Sequence, residues 1–398
     1  MGNSSRQTMY PQLYFDYNAT TPCDPAVVEA MLTYFEEHFG NPSSSHAYGW
    51  LAKDAVEEAR NQIADNLKVG PNELLFTSGA TESINQILKG VGRLGKAKAN
   101  HMITTQAEHK AVLDTCAYLE DTGFEVTYLE VDGQGHISPD QLREALRPDT
   151  LMVSVMYANN ETGVIQPLED IAELTRANGT LLFSDTTQAL GKVPVQEVLD
   201  LVDFACFSGH KIYGPKGIGL TYIKNNEGDS MLPSFVQGGG QQRAQRGGTI
   251  NTPLIVGLAK AVALACEHLP AEQNRLSDLR DRLDQGLSGI EMAVSNNEAF
   301  ERLPNTSHFS FPYVDGASLL TALSRQIAVS NGSACNSASV EPSHVLRAMG
   351  VERSLAYASL RLSLGRYTTA GDIDRARGII SGAVAAQREN NILWAVSY

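Results

Sequence analysis

Seven short apolar runs separated by amphipathic stretches fill the chain from about residue 74 to 224, and no other feature restricts the fold as much. They cover 74–77, 102–104, 126–129, 151–157, 181–184, 202–208 and 218–223. Runs of this length, rich in β-branched and aromatic residues, read as strands buried on both faces. Between them, 109–121, 139–146 and 168–178 place apolar residues at helical spacing. Parallel neighbours need crossover connections, so the alternation predicts an α/β fold with a mostly parallel seven-stranded sheet covered by helices. Residues 228–253 interrupt it with a glycine-rich polar loop, and a long helical region follows over roughly 254–287. The remainder reads as mixed α+β. The expected division is a large domain over 14–259 and a smaller C-terminal α+β domain over 260–398, with 1–13 as a tail.

At 398 residues and 42% hydrophobic content, the chain can bury one very large core or two ordinary ones. A net charge of −14 argues against nucleic acid or an anionic membrane as the main partner, because phosphate binding needs a basic surface. No window approaches the roughly 18 uninterrupted apolar residues of a membrane span, and Met1–Gln7 lacks an apolar signal region. Cys23, Cys116, Cys206, Cys266 and Cys335 are scattered and odd in number. None forms Cys-x-x-Cys, so neither a metal site nor a disulfide framework is indicated, and a reducing cytoplasm is the expected location.

The polar residues that matter stand where strands end. Ser208-Gly209-His210-Lys211 closes one apolar run, and Ser184-Asp185-Thr186-Thr187-Gln188 closes the run before it. A lysine at a sheet lip can act as a Schiff-base nucleophile. An acid at the neighbouring strand end completes the pairing that pyridoxal phosphate needs. Thr77-Ser78-Gly79-Ala80-Thr81-Glu82-Ser83 joins a strand to a helix. Its small residues let backbone approach an anion, and the helix N-terminus offers free N–H groups; a plain helix cap explains the same residues. His109, after the strand near 101–105, can stack on an aromatic cofactor or move protons. Asn160 lies in Asn159-Asn160-Glu161-Thr162-Gly163, after the strongest strand. Open α/β sheets bind ligands outside such strand ends. Gly90-Val91-Gly92-Arg93-Leu94-Gly95 matches GxGxxG but falls after the expected helix, so it is rejected as a dinucleotide fingerprint.

Taken in order, these residues resemble the class V branch of the fold-type I pyridoxal phosphate enzymes, and within it the cysteine desulfurases of the IscS/NifS group. The narrower resemblance rests on Tyr14-Phe15-Asp16-Tyr17-Asn18-Ala19-Thr20-Thr21, Gly40-Asn41-Pro42-Ser43-Ser44, Asn331-Gly332-Ser333-Ala334-Cys335-Asn336-Ser337-Ala338-Ser339 and Arg361-Leu362-Ser363-Leu364-Gly365-Arg366. It implies that the chain is a homodimeric fold-type I transferase using pyridoxal 5'-phosphate to convert L-cysteine to L-alanine. Lys211 is implied to hold the cofactor as a Schiff base, with Asp185 on the pyridine nitrogen, Gln188 on the ring oxygen and His109 stacked on the ring. Ala80, Thr81, Ser208 and His210 are implied to hold the phosphate, joined by Thr249 of the neighbouring subunit. Asn160, Arg361 and Asn41 are implied to bind substrate. Cys335 is the implied sulfur acceptor, in a segment whose composition predicts exposure and mobility.

Two departures bear on partners. Asn331 and Asn336 stand where the family often has Ser and Thr, and the end Asn391-Ile392-Leu393-Trp394-Ala395-Val396-Ser397-Tyr398 does not closely match the tail that housekeeping members use to dock an iron–sulfur scaffold. A sulfur-acceptor protein is expected without an identity. Iron–sulfur assembly, tRNA thiolation, cofactor synthesis and DNA phosphorothioation all begin from the same persulfide. A selenocysteine lyase or other class V enzyme, and a non-catalytic scaffold of the same fold, are the competing readings.

Overall fold

The computed structural model describes residues 13–95, 99–225, 232–298, 301–331 and 342–396. After a short β1 (Leu13–Tyr14), all seven expected runs form strands: β2 (Leu74–Thr77), β3 (His101–Thr105), β4 (Glu125–Leu129), β5 (Thr150–Ser154), β6 (Leu181–Asp185), β7 (Phe204–Ser208) and β8 (Gly219–Ile223). They make one sheet in the order β2-β8-β7-β6-β5-β3-β4. β8 runs antiparallel to both β2 and β7, and every other pairing in this sheet is parallel. With only β8 reversed, the carboxyl ends of β2, β3, β5, β6 and β7 reach the same edge. This brings together segments that are far apart in sequence.

Both faces of the sheet are covered, as continuous apolar strands require. Leu74 and Phe76 point to one face and Leu75 to the other. Leu182 and Phe183 divide the same way, following the two-residue period of a strand. Helices α1 (Pro25–Glu36), α2 (Ala47–Leu67), α5 (Pro139–Ala145), α6 (Leu168–Asn178) and α7 (Gln196–Leu201) pack on the first face, and α3 (Ala80–Gly95) and α4 (Lys110–Asp121) on the second. The ends have local causes. Asp24 caps α1, with Pro25 in its first turn, and α6 stops at Gly179, whose φ of 70° closes a left-handed C-cap. Gly90 and Gly92 lie inside α3, which continues to Gly95, so the GxGxxG string is part of that helix and does not follow it. Both are tight packing positions, where a Cβ would come within 3.3 Å of Leu232 and 3.2 Å of Phe124.

Helix α8 (Thr252–Ser288) serves two cores. Ile255, Leu258 and Val262 pack against the large sheet's first face, while Leu276, Leu283 and Leu287 join a second core. By length and composition α8 could cross a membrane, but these side chains commit its apolar face to protein. The second core surrounds a three-stranded antiparallel sheet of β9 (Val294–Ser295), β10 (Thr306–Ser310) and β12 (Ser359–Ser363). β11 (Ile327–Ala328) pairs in parallel with β1, bringing Leu13 and Phe15 into the same core. Helices α9 (Gly316–Leu323), α10 (His344–Ala348), α11 (Arg353–Tyr357) and α12 (Ala370–Glu389) complete the chain's larger elements.

Gly219 pairs with Thr77 on one side and Ser208 on the other. A Cβ there would lie 2.5 Å from Gly79 Cα and 2.7 Å from the Phe207 carbonyl oxygen. Backbone cannot yield as a flexible side chain can. Gly219→Ala is therefore expected to destabilise the fold by about 1–3 kcal/mol, the range for overpacking, read as a lower denaturant midpoint with an unchanged slope.

Candidate active site

At the shared carboxyl edge lies a cavity of about 800 Å³. One end is an anion cradle. Ala80 and Thr81 open α3, whose first N–H groups lack helical partners, and Ser208 and His210 stand across from them. Glu82 accepts from the Ser78 backbone N–H at 2.8 Å and pairs with Arg246 at 2.9 Å, fixing the turn before α3. Burial, with Lys211 and Lys216 nearby, pushes the His210 imidazole down to about 4, so it is neutral near pH 7. The donor set suits a phosphate, and the tight approach of Gly219 to Gly79 below it leaves no room for side chains.

The middle of the cavity is framed by His109, Asp185 and Gln188. His109 is the N-cap of α4, and its Nδ1 accepts the Ala111 N–H at 3.1 Å. The neutral ring therefore carries its proton on Nε2. Asp185 ends β6, and its Oδ1 accepts from the Thr187 N–H at 3.0 Å and from Cys206 Sγ at 3.3 Å. Burial and the adjacent Asp185 push the Cys206 thiol well above its usual range, which keeps it a donor. Lys211 Nζ donates to the backbone carbonyls of Asn18, at 2.5 Å, and Ala19, at 2.8 Å.

The far wall belongs to the small sheet. Arg361 lies on β12, with Nη2 2.8 Å from Asp16 Oδ1 and Nη1 donating to the Asn160 carbonyl at 3.0 Å. Its Nε is buried without a hydrogen-bond partner. His308 faces it across the β10–β12 ladder. Burial and the Arg361 charge push His308 down to about 3, so no second cation competes there. Glu161, Ser343, His344 and Arg347 also line the cavity. Burial raises Glu161 above the usual carboxylate range, and Ser343 Oγ donates to it.

Ala80, Thr81, His109, Asn160, Asp185, Gln188, Ser208, His210, Lys211 and Arg361 thus line one cavity. Asn41 and Thr249 are exposed and do not line it. Cys335 lies outside the described residues. Sequence reasoning gave no role to Glu108 or Lys192, and it quoted Asp16 and Asn18 only inside a motif. Glu108 could have been flagged by its place beside His109; nothing local marks Lys192.

The chain matches the family model for aminotransferase class-V over residues 13–376. It is 47% identical over 383 residues to cysteine desulfurase IscS of Methylococcus capsulatus, covering 96% of this chain and 94% of the relative. Among solved structures it resembles a NifS-like protein with a TM-score of 0.87 and 40% identity, over 94% of this chain and 99% of the other. It also resembles SspA in complex with cysteine, with a TM-score of 0.77 and 37% identity, over 90% and 100% of the two chains. An α/β sheet with a lysine and an acid at adjacent strand ends defines the class of fold, and the chain belongs to the class-V aminotransferase family.

Glu108 gives this site a pH signature. Its Oε1 accepts from the Met156 N–H at 2.8 Å and from Thr105 Oγ1 at 3.1 Å, while the buried Oε2 has no hydrogen-bond partner. Burial, with Asp185 adding to it, pushes the carboxyl up to about 8 from an ordinary 4.5. The folded chain therefore binds more protons than the unfolded chain across that window, and this contribution to stability falls as pH rises through it. Glu108→Gln keeps the acceptor and removes the titration. Between pH 5 and 8 the variant is expected to gain stability relative to the parent, measured by denaturant unfolding at both pH values.

Proposed function

We propose that the chain is a pyridoxal phosphate-dependent cysteine desulfurase that converts L-cysteine to L-alanine and leaves the sulfur on Cys335. The observation that carries this reading is the meeting of Lys211, Asp185 and His109 with an anion cradle at one end of a cavity and Arg361 at its far wall. The cradle fits the cofactor's phosphate, Asp185 its pyridine nitrogen, Gln188 its ring hydroxyl, the flat face of His109 its ring and Lys211 its aldehyde. When bound, the cofactor supplies an electron sink for charge developing at the substrate Cα. Asp185, an acceptor, holds the proton on the ring nitrogen. Arg361 and Asn160 bind the substrate carboxylate, Arg361 turning its fork from Asp16 toward the ligand. Lys211 Nζ moves the Cα proton, and His109 Nε2 carries a proton between the substrate thiol and Cys335. The Cys335 thiolate attacks the substrate sulfur. One S–S bond forms and the C–S bond breaks, so cysteine and a thiol become alanine and a persulfide.

We extend the proposal to a cytoplasmic homodimer that hands its sulfur to an acceptor protein. Exposed Leu32, Phe35, Phe39, Tyr48, Trp50 and Leu51 gather over α1, the start of α2 and the segment between them. An apolar surface of that kind marks an interface. Thr249, exposed and away from its own chain's cavity, is then available to a phosphate in the other subunit. The division near residue 260 belongs to the same reading, supported by the passage of α8 from one core to the other.

Lys211→Ala is expected to abolish both the cofactor's visible absorption band and alanine release. Asp185→Asn should retain cofactor but lose at least tenfold in turnover, since a neutral partner holds the ring proton poorly. Cys335→Ser should keep the visible band and still bind cysteine, yet form no persulfide, because a hydroxyl is a far weaker nucleophile than a thiolate. Non-reducing mass spectrometry after incubation with cysteine should locate one added sulfur on the peptide holding Cys335. Sulfur on another cysteine, or normal desulfuration by Cys335→Ser, would overturn the assignment.

A further inference from the structure

Behind Lys211 lies a second amine for which the reaction gives no use. Lys192 is 8% exposed. Among the described residues its hydrogen bonds go to two side-chain amide oxygens, Gln188 Oε1 at 2.5 Å and Asn18 Oδ1 at 3.3 Å. Neither is a counter-ion. Burial, with Lys211 and Arg361 adding repulsion, pushes the amine well below the usual lysine range. The small cavity behind it is also lined by Tyr17, Tyr213, Glu272 and Arg366. A polar group buried this way costs free energy that an apolar side chain of similar length would avoid. What the amine provides is direction.

An amide has one acceptor end and one donor end, nearly equal in shape. An amine contact of this kind is met by the oxygen. Gln188 Oε1 is therefore held toward Lys192, and Nε2 is held toward the Asn18 carbonyl at 2.9 Å. The same carbonyl accepts from Lys211 Nζ at 2.5 Å. Reversing the amide would set two nitrogen donors against each other and two oxygens against each other. The second N–H of Gln188 is then the donor left for whatever enters the cavity. Gly191, with φ of 73°, makes the turn between the two residues, and a Cβ there would already touch Ala265 at 3.0 Å.

We infer that Lys192 is a positioning residue that locks the Gln188 amide with its N–H toward the cavity, so that the cofactor's ring oxygen meets a donor. This rests on the proposed contact of Gln188 with that oxygen. Losing a donor to a ring oxygen makes the adjoining nitrogen easier to protonate, so the pH midpoint of the cofactor's visible band reports the lock. In the holoenzyme, Gln188→Ala is expected to raise that midpoint by about half a pH unit or more, the effect of one hydrogen bond. Lys192→Met should raise it in the same direction, because only the Asn18 carbonyl then holds the amide. Combined with Gln188→Ala, Lys192→Met should add nothing, since a residue acting through another has no effect once the other is gone. Lys192→Gln, which keeps a shorter donor, guards against a misfolded methionine variant and should shift the midpoint by less than Gln188→Ala does. An unmoved midpoint in Gln188→Ala would overturn the ring contact itself. A shift in Gln188→Ala with none in either Lys192 variant, or full additivity in the double variant, would overturn the positioning role and leave the ring contact standing.

Discussion

Asn18 is the joint on which the site depends. Its carbonyl oxygen accepts from Lys211 and Gln188, both at the edge of the large sheet. Its side chain donates to Thr306 Oγ1 on β10 at 2.9 Å, and its backbone N–H donates to Ser363 Oγ on β12 at 2.9 Å. Its Oδ1 accepts from Asn305 at 3.1 Å as well as from Lys192. One buried asparagine from the start of the chain thus binds the lysine end of the cavity to the small sheet that carries Arg361. Every member of such a network must be satisfied, because an orphaned buried polar group loses its water without a replacement.

The charges are arranged around this joint with little redundancy. Lys211, Lys216, His210 and Arg361 line the cavity, and Lys192 and His308 are buried nearby. The folded chain tolerates them by keeping both histidines neutral near pH 7 and by setting Asp16 against Arg361. Glu161, in the cavity lining, and Glu108, buried beside His109, are pushed toward their neutral forms. Asp185 ends β6. It keeps two donors on one oxygen and stands at the cavity surface, where an acceptor has a use.

The fold was legible because the parallel sheet leaves a plain trace: short apolar runs with polar residues at their carboxyl ends. Those ends located Thr81, His109, Asn160, Asp185 and Lys211. The rest was hidden for a physical reason. Asn18 reaches its partners over separations of 142 to 345 residues, and no local pattern records such contacts. Lys192 in the sequence is one lysine among many, and only burial distinguishes it. Gly90 and Gly92 show the opposite difficulty: a string that resembled a binding loop consists of positions where a helix packs closely.

Helix α8 has a mechanical consequence. It is continuous from the large core to the small one, and Pro270 stands between Ala265, the last of its side chains buried in the first core, and Leu276, the first buried in the second. A proline has no N–H, so the helical ladder is one bond short at the boundary. If the wall bearing Arg361 tilts toward the lysine end, the bending strain concentrates there, where the beam is weakest, and the hydrophobic contacts on either side travel as rigid blocks.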